Sequence, residues 1–317
     1  MPVCLHLPLL NSVRPPQVAV VGGGPAGLRA AEIAAAGGAQ VTLYDAKRSV
    51  GRKLLVAGKS GLNLTNDEAF EPFVERYQGP ELRQDLLRSI LHACDNKALR
   101  AWASGLGIET RAASSGKVFP TSMKAAPLLR AWIQRHRELG VTFAVNHELL
   151  GLQPGNPHRL LFSTPGKEMV ARAEVVILAL GGGSWPSTGS TGNWVTMLRE
   201  LGVGVSSLEP ANCGWELDWP SELLQEVEGH PLKNIALAAG GVSRSGELVI
   251  TRYGLEGGPL YHLGPILRAC VREVAAVTVT LDLKPAFDLK EVEIKLGGVS
   301  SNYVREARRR LNLDPAA

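Results

Sequence analysis

The chain has 317 residues, 45% hydrophobic and 20% charged, with 34 Lys and Arg against 30 Asp and Glu for a formal net charge of +4. That length accommodates two domains with substantial cores, and so small a positive balance gives no ground for a nucleic-acid partner. Cys4, Cys94, Cys213 and Cys270 are widely spaced with no C-x-x-C pair, so neither a zinc site nor a disulfide framework is expected and a reducing cytoplasm fits best.

Residues 1–16 read as a flexible leader. Their apolar patch, Cys4 to Leu10, has no Lys or Arg before it and no small-residue cleavage site after it, which argues against a signal peptide. No apolar run approaches the roughly 20 residues that cross a bilayer, so no membrane partner is expected.

The first element of the fold is the most informative. Val18 to Val21 form a short buried strand, and Gly22, Gly24 and Gly27 follow as G-x-G-x-x-G where the strand turns into a helix. Gly22 permits the tight turn, Gly24 keeps a side chain out of the path of a pyrophosphate, and Gly27 lets the helix approach the strand. Phosphates then meet the helix N-terminus, where free N–H groups and the macrodipole favour negative charge. The alanine-rich helix (Ala30, Ala31, Ala34, Ala35) ends at Gly37-Gly38. A second strand, Val41 to Tyr44, delivers Asp45 about 18 residues past the last glycine, near the spacing of a carboxylate that bonds a ribose hydroxyl. A glycine-rich turn of some other α/β domain is the competing interpretation, and it leaves Asp45 unexplained. Asp45 disfavours a ribose 2′-phosphate, against which Lys47 and Arg48 weigh in the other direction.

Ser49 to Asn66 is expected to be a polar, glycine-punctuated loop. Its Gly58-Lys59-Ser60 resembles the end of a triphosphate-binding loop, but Lys53 stands where the first glycine of G-x-x-x-x-G-K-[ST] is required. From Glu81 to Leu106 the apolar spacing predicts two core helices broken near Asp95-Asn96, followed by a turn over Gly116 to Pro120 and a helix from Lys124 to Leu139. Val141 to Val145 is a third strand, and Glu148 to Arg172 an antiparallel meander with turns near Gly155 and Gly166. Glu174 to Leu180 is a second fully apolar strand running into Gly181-Gly182-Gly183. Ligands in α/β sheets lie at the carboxyl ends of strands, so this run should face the same cofactor as Gly22 to Gly27, unless it is a hinge between domains.

Beyond Leu208 the composition changes to strands, prolines and glycines, marking a second domain, and Asn302 to Leu311 is a basic helical segment whose arginines form a solvated face. The organisation expected is therefore a leader over 1–16, a dinucleotide-binding α/β domain over 17–207 and a β-rich domain over 208–317. Trp185, Trp194, Trp215 and Trp219 either wall an apolar cleft near the junction or pack in cores. Tyr253, His262 and the Gly254 to Pro259 turn are weaker candidates for that cleft. No Ser/His/Asp or Cys/His spacing indicates nucleophilic catalysis, no metal cluster is legible, and Cys213 reads as a small buried residue.

With these residues in place the chain resembles the BaiN/YhiN-like bacterial flavoproteins, the aminoacetone-oxidase-family FAD-binding enzymes. Gly22 to Gly27, Gly51-Arg52-Lys53, Gly58 to Asn66 with Asn63-Leu64-Thr65-Asn66, Val118-Phe119-Pro120 and Ala179 to Pro186 carry the resemblance over nearly the whole chain after the leader. It implies a Rossmann-like FAD-binding domain with a parallel sheet and a small meander, an inserted β-rich domain over the flavin, and an FAD-dependent oxidoreductase moving a hydride from or to a small organic substrate. The cofactor-binding residues it implies, taken with the motifs, are Gly22, Gly23, Gly24, Pro25, Ala26 and Gly27, then Asp45, Ala46, Arg52 and Lys53. Gly61, Asn63, Thr65, Ala179, Leu180, Gly181 and Gly182 complete the set; plain loop solvation is the alternative for Lys53 and Asn63. Two departures stand out. Leu62 occupies a position where the related loops lead one to expect arginine, and nothing after Gly297-Gly298 reads as the strand and helix that close the FAD domain in the family. A non-catalytic remnant and a simple NAD-dependent dehydrogenase are the competing interpretations.

Overall fold

The computed structural model describes residues 14–77, 82–274 and 277–314, so most of the expected leader lies outside the described residues. The chain divides into two compact units, Met1–Leu208 and Glu209–Ala317.

The first unit begins with β1 (Gln17–Val21), α1 (Pro25–Ala36), β2 (Gln40–Asp45), α2 (Arg52–Ala57), β3 (Thr65–Asn66) and α3 (Phe70–Glu75). It continues through α4 (Gln84–Ala93), α5 (Asn96–Gly105), β4 (Thr110–Ala112), β5 (Lys117–Pro120) and α6 (Ala125–Glu138). Then come β6 (Thr142–Val145), β7 (Glu148–Gln153), β8 (His158–Thr164), β9 (Lys167–Ala173), β10 (Val175–Leu178) and α7 (Trp194–Glu200). A parallel sheet of order β10-β1-β2-β6 is the centre of this unit. Its central strand reads as an unbroken apolar run because both faces are covered. Val18 and Val20 pack with Leu28 and Ala31 of α1 and Leu129 and Trp132 of α6. Ala19 and Val21 pack on the other side with Leu160 and Phe162 of the β7-β8-β9 meander. The unit is thus three layers: helices, parallel sheet, antiparallel sheet.

Several elements differ from the sequence expectation. The stretch Ser49 to Asn66 is not a loop throughout, since it contains α2 and β3. Six residues carry too little periodicity to announce a helix, and α2 is held by Gly51, whose φ of +69° turns the chain, and by Leu54, which packs into the core. Residues 117–120, expected within a turn, form β5, paired on both sides by β3 and β4, and only Gly116, with φ of +78°, belongs to the bend. The helix α3 was not legible at all. The break near Asp95-Asn96 is present, and its cause is local: the Asp95 carboxylate accepts the Ala98 N–H at 2.7 Å and caps α5.

The second unit holds β11 (Trp215–Glu216), α8 (Ser221–Val227), β12 (Pro231–Ala239), β13 (Val242–Thr251), β14 (Gly254–Gly257), α9 (Gly258–Val274), β15 (Thr280–Asp282), α10 (Leu289–Leu296) and α11 (Tyr303–Leu311). An antiparallel sheet of order β11-β14-β13-β12-β15 packs Leu237, Leu248 and Ile250 against Leu263 and Leu267 of α9. This long helix went unrecognised because Gly264 and Pro265 interrupt its sequence. Trp215 and Trp219 pack against that core, and Cys213 is half-buried rather than buried. Among the described residues after Gly297 there is one helix, α11, and no strand. No helix among the described residues is long and apolar enough to cross a membrane.

Candidate functional site: two glycine bends at a switch point

The strand order reverses beside β1, with β2 on one side and β10 on the other. At such a switch point the loops leaving the strands turn apart and open a crevice at the carboxyl ends. Both glycine-rich bends leave the sheet there. Val21 is paired with Leu178, the Ala179 N–H donates to the Val21 carbonyl at 2.8 Å, and the Gly22 N–H donates to the Tyr44 carbonyl at 2.8 Å.

The glycines fall into two kinds. A Cβ at Gly22 would lie 2.2 Å from the Ala179 carbonyl oxygen, and one at Gly27 would lie 1.8 Å from the Gly22 oxygen. These positions are closed by the protein itself. A Cβ at Gly24 would meet nothing within 4 Å. Gly24 caps α1 with a φ of −77°, Pro25 takes the first helical position, and the Leu28 N–H is the first to return to Gly24, at 2.9 Å. The N–H groups of Ala26 and Gly27 precede any intrahelical acceptor and point out of the helix start. Gly24 therefore stands bare over a donor-rich helix end.

Asp45 holds the first bend from below. Its Oδ2 accepts the Gly23 N–H and its Oδ1 the Lys47 N–H, each at 2.8 Å, while the Gly51 N–H donates to the Gly23 carbonyl at 2.7 Å. Burial pushes the Asp45 carboxyl above the ordinary range, against the opposing pull of those two N–H groups and of the Arg52 and Lys47 charges. Ala46 is exposed beside it. Asp45→Ala should leave the buried Gly23 N–H without an acceptor and cost about 1–3 kcal/mol of stability, read from urea unfolding of the apoprotein.

The helix α2 lies between the bends. Arg52 acts on Asp45 electrostatically, and its Nε is buried with no hydrogen-bond partner among the described residues. Lys53 Nζ donates to Ser190 Oγ at 2.9 Å and to Ser184 Oγ at 3.3 Å, and Ser190 Oγ donates to the Gly182 carbonyl at 2.8 Å. The Gly181 carbonyl accepts from Trp194 Nε1 at 2.9 Å, and a Cβ at Gly181 would lie 2.6 Å from Ser190 Oγ. Lys53 is therefore a tie between α2 and the second bend. Leu180 leads into that bend half-buried, and Gly182 has open space where a Cβ would be.

Gly61, Asn63 and Thr65 lie on a separate strip. The Leu62 N–H donates to the Met123 carbonyl at 3.0 Å and the Leu64 N–H to the Val118 carbonyl at 2.8 Å, so alternate residues face away from β5. Asn63 is exposed, whereas Leu62, at the position where arginine was expected, is part of the core with Ala103 and Leu128. Asn63 and Pro25 line the same pocket, which brings this strip beside the start of α1.

Sequence reasoning missed Ser190 and Glu32. Glu32 is 5% exposed and accepts from Trp132 Nε1 at 2.9 Å, Trp102 Nε1 at 3.1 Å, Arg29 at 2.9 Å and Arg135 at 3.2 Å. A lone carboxylate within the run Ala30 to Ala36 was the available signal.

A parallel sheet with a glycine-rich helix start at its switch point defines a Rossmann-type dinucleotide-binding domain. Residues 16–309 match the HI0933-like protein Rossmann domain, and the chain belongs to that family of FAD-binding oxidoreductases, whose cofactor is FAD. It is 28% identical over 293 residues to the 3-dehydro-bile acid delta(4,6)-reductase of Clostridium scindens, covering 87% of this chain and 66% of the relative. It is 24% identical over 246 residues to the ribosomal RNA dihydrouridine synthase of Escherichia coli, covering 75% of this chain and 58% of the relative. The chain thus spans about two thirds or less of the length of both. Among solved structures it resembles a 3-ketosteroid-delta4-(5alpha)-dehydrogenase from Rhodococcus jostii RHA1 at 18% identity, with a TM-score of 0.43 over 55% of this chain and 47% of that one.

Proposed function

We propose that this chain binds FAD across the two glycine bends and serves a cytoplasmic oxidoreductase that moves a hydride between the flavin and a small organic substrate. The observation that carries the proposal is the contrast at the switch point. Gly22 and Gly27 are closed by the protein's own backbone, whereas Gly24 is open above free helix N–H groups. The residues present fit a diphosphate, because Arg52 brings a buried, unpartnered N–H to the same bend.

In this proposal Gly24 admits the pyrophosphate, and the Ala26 and Gly27 N–H groups donate to it. Gly23 and Pro25 shape the approach, and Arg52 compensates the phosphate charge. Asp45 and Ala46 flank the adenosine ribose, with Asp45 offering the lone pairs its two backbone bonds leave free. Lys53 aligns Ala179, Leu180, Gly181 and Gly182 with the first bend. Gly61, Asn63 and Thr65 face the flavin end. Bound FAD supplies the two-electron chemistry, and the protein's work is to orient it and to exclude water.

The test is a visible absorbance spectrum of purified protein before and after addition of FAD and gel filtration. Flavin bands that travel with the protein are expected. Protein that stays colourless after refolding with FAD, or that retains a nicotinamide dinucleotide instead, would overturn the assignment. A second substrate reading, an RNA base, is favoured by the likeness to the dihydrouridine synthase. Incubating reduced holoprotein with ribosomal RNA and, separately, with a ring enone decides between them by which one is reduced.

A further inference from the structure

Between the start of α1, the strip at residues 62–64 and the helices α5 and α6 lies a cavity of about 260 Å³ within the first unit. Leu99, Leu128, Trp102 and Trp132 give it apolar walls, while Arg29 and Asn63 are the polar groups on its lining that carry N–H donors beyond the indoles. The two indoles meet edge to face, with centroids 4.7 Å apart and planes at 75°.

The walls are fixed by a feature that core packing alone does not require. The buried Glu32 carboxylate accepts N–H bonds from Trp102, Trp132 and Arg29, so one group orients three of the lining side chains. Burying a carboxylate is costly, and an apolar residue of similar volume would hold two helices together at least as well. What the carboxylate adds is orientation: both indole N–H groups turn toward Glu32, and the rings are locked as a wall. Arg29 gives one N–H to Glu32, and its side chain remains 42% exposed with further donors at the cavity.

We propose that this cavity, which shares only Pro25 and Asn63 with the residues assigned to the cofactor, is a second ligand site for a flat apolar ring system bearing a carboxylate. The ring lies against the indole wall and the carboxylate meets the unspent edge of Arg29. Rings bind such walls because they bury area at little entropic cost, and an arginine edge selects a planar anion over a neutral polar group.

Calorimetric titration of the full chain with 2-naphthoate, and with 2-naphthalenemethanol as the uncharged counterpart, tests this, first in apoprotein and then with saturating FAD. The naphthoate should bind with a dissociation constant below about 1 mM and at least about tenfold more tightly than the alcohol. Leu99→Trp, checked for folding by circular dichroism, should fill the cavity and abolish binding. Added FAD should leave naphthoate affinity within about twofold. No binding to the wild-type protein, equal affinity for acid and alcohol, unchanged binding to a folded Leu99→Trp, or displacement by FAD would each overturn the proposal. Because the first titration uses apoprotein, a failure of FAD to bind leaves its outcome fully interpretable.

Discussion

Gly24→Val should reduce FAD affinity by at least about 100-fold, roughly 2.7 kcal/mol, while the apoprotein keeps its melting temperature to within about 2 °C. The two halves of that result have separate causes. At a φ of −77° and with nothing within 4 Å of an added Cβ, position 24 accepts a branched residue with neither backbone strain nor a steric clash inside the protein. The added methyls fall in the space above the Ala26 and Gly27 N–H groups, so they exclude a diphosphate from the helix start.

Gly27→Ala supplies the contrast. Its single methyl would sit 1.8 Å from the Gly22 oxygen, so the helix must move off the strand. Overpacking of that severity costs about 3 kcal/mol or more, and stability and FAD binding should fall together. Flavin fluorescence titration and thermal unfolding of both variants provide the check. If Gly24→Val binds FAD normally, the diphosphate does not lie over that helix start, and the assignment of the crevice fails.

The backbone geometry at the centre of the candidate site was legible because it is local. Gly22 to Gly27, the strand before them and Asp45 lie within one strand-helix-strand unit, where spacing and backbone geometry determine one another. The second bend was legible for a similar reason, as an apolar strand ending in glycines. What the sequence concealed depends on distant partners. Asp45 was expected at a ribose, yet its oxygens first hold the Gly23 and Lys47 N–H groups. Lys53 was expected among the cofactor-binding residues, and its ammonium ties α2 to Ser190, 137 residues away. The helix α2 carries no period of its own, and α9 carries Gly264 and Pro265 in its interior, so tertiary packing outweighs local propensity in both. The role of Glu32 was hidden because, Arg29 apart, its indole and guanidinium partners lie 70 to 103 residues along the chain.

Glu32 also carries the largest stability effect expected away from the glycines. Burial pushes its carboxyl up, but donation from Arg29, Trp132, Arg135 and Trp102 pulls it down further, and the net position is below the ordinary value of 4.5. A carboxyl lowered in the folded state contributes stability that is fully present above its unfolded value and lost as pH falls through the lowered one. The wild-type first unit should therefore lose stability below about pH 4.5, and Glu32→Ala should lose less over that window because it has no such group to protonate. At neutral pH, Glu32→Ala strands two indole N–H groups and removes the carboxylate between two guanidiniums. Breaking a buried ion pair from one side costs about 3–5 kcal/mol, with the partial exposure of Arg29 and Arg135 placing this one at the lower end. For a unit of this size that corresponds to a fall in melting temperature on the order of 10 °C. Glu32→Gln keeps an acceptor for the indoles and should recover part of the loss. A melting temperature unchanged in Glu32→Ala, or an acid profile identical to wild type, would mean that the indoles and arginines are held by packing alone.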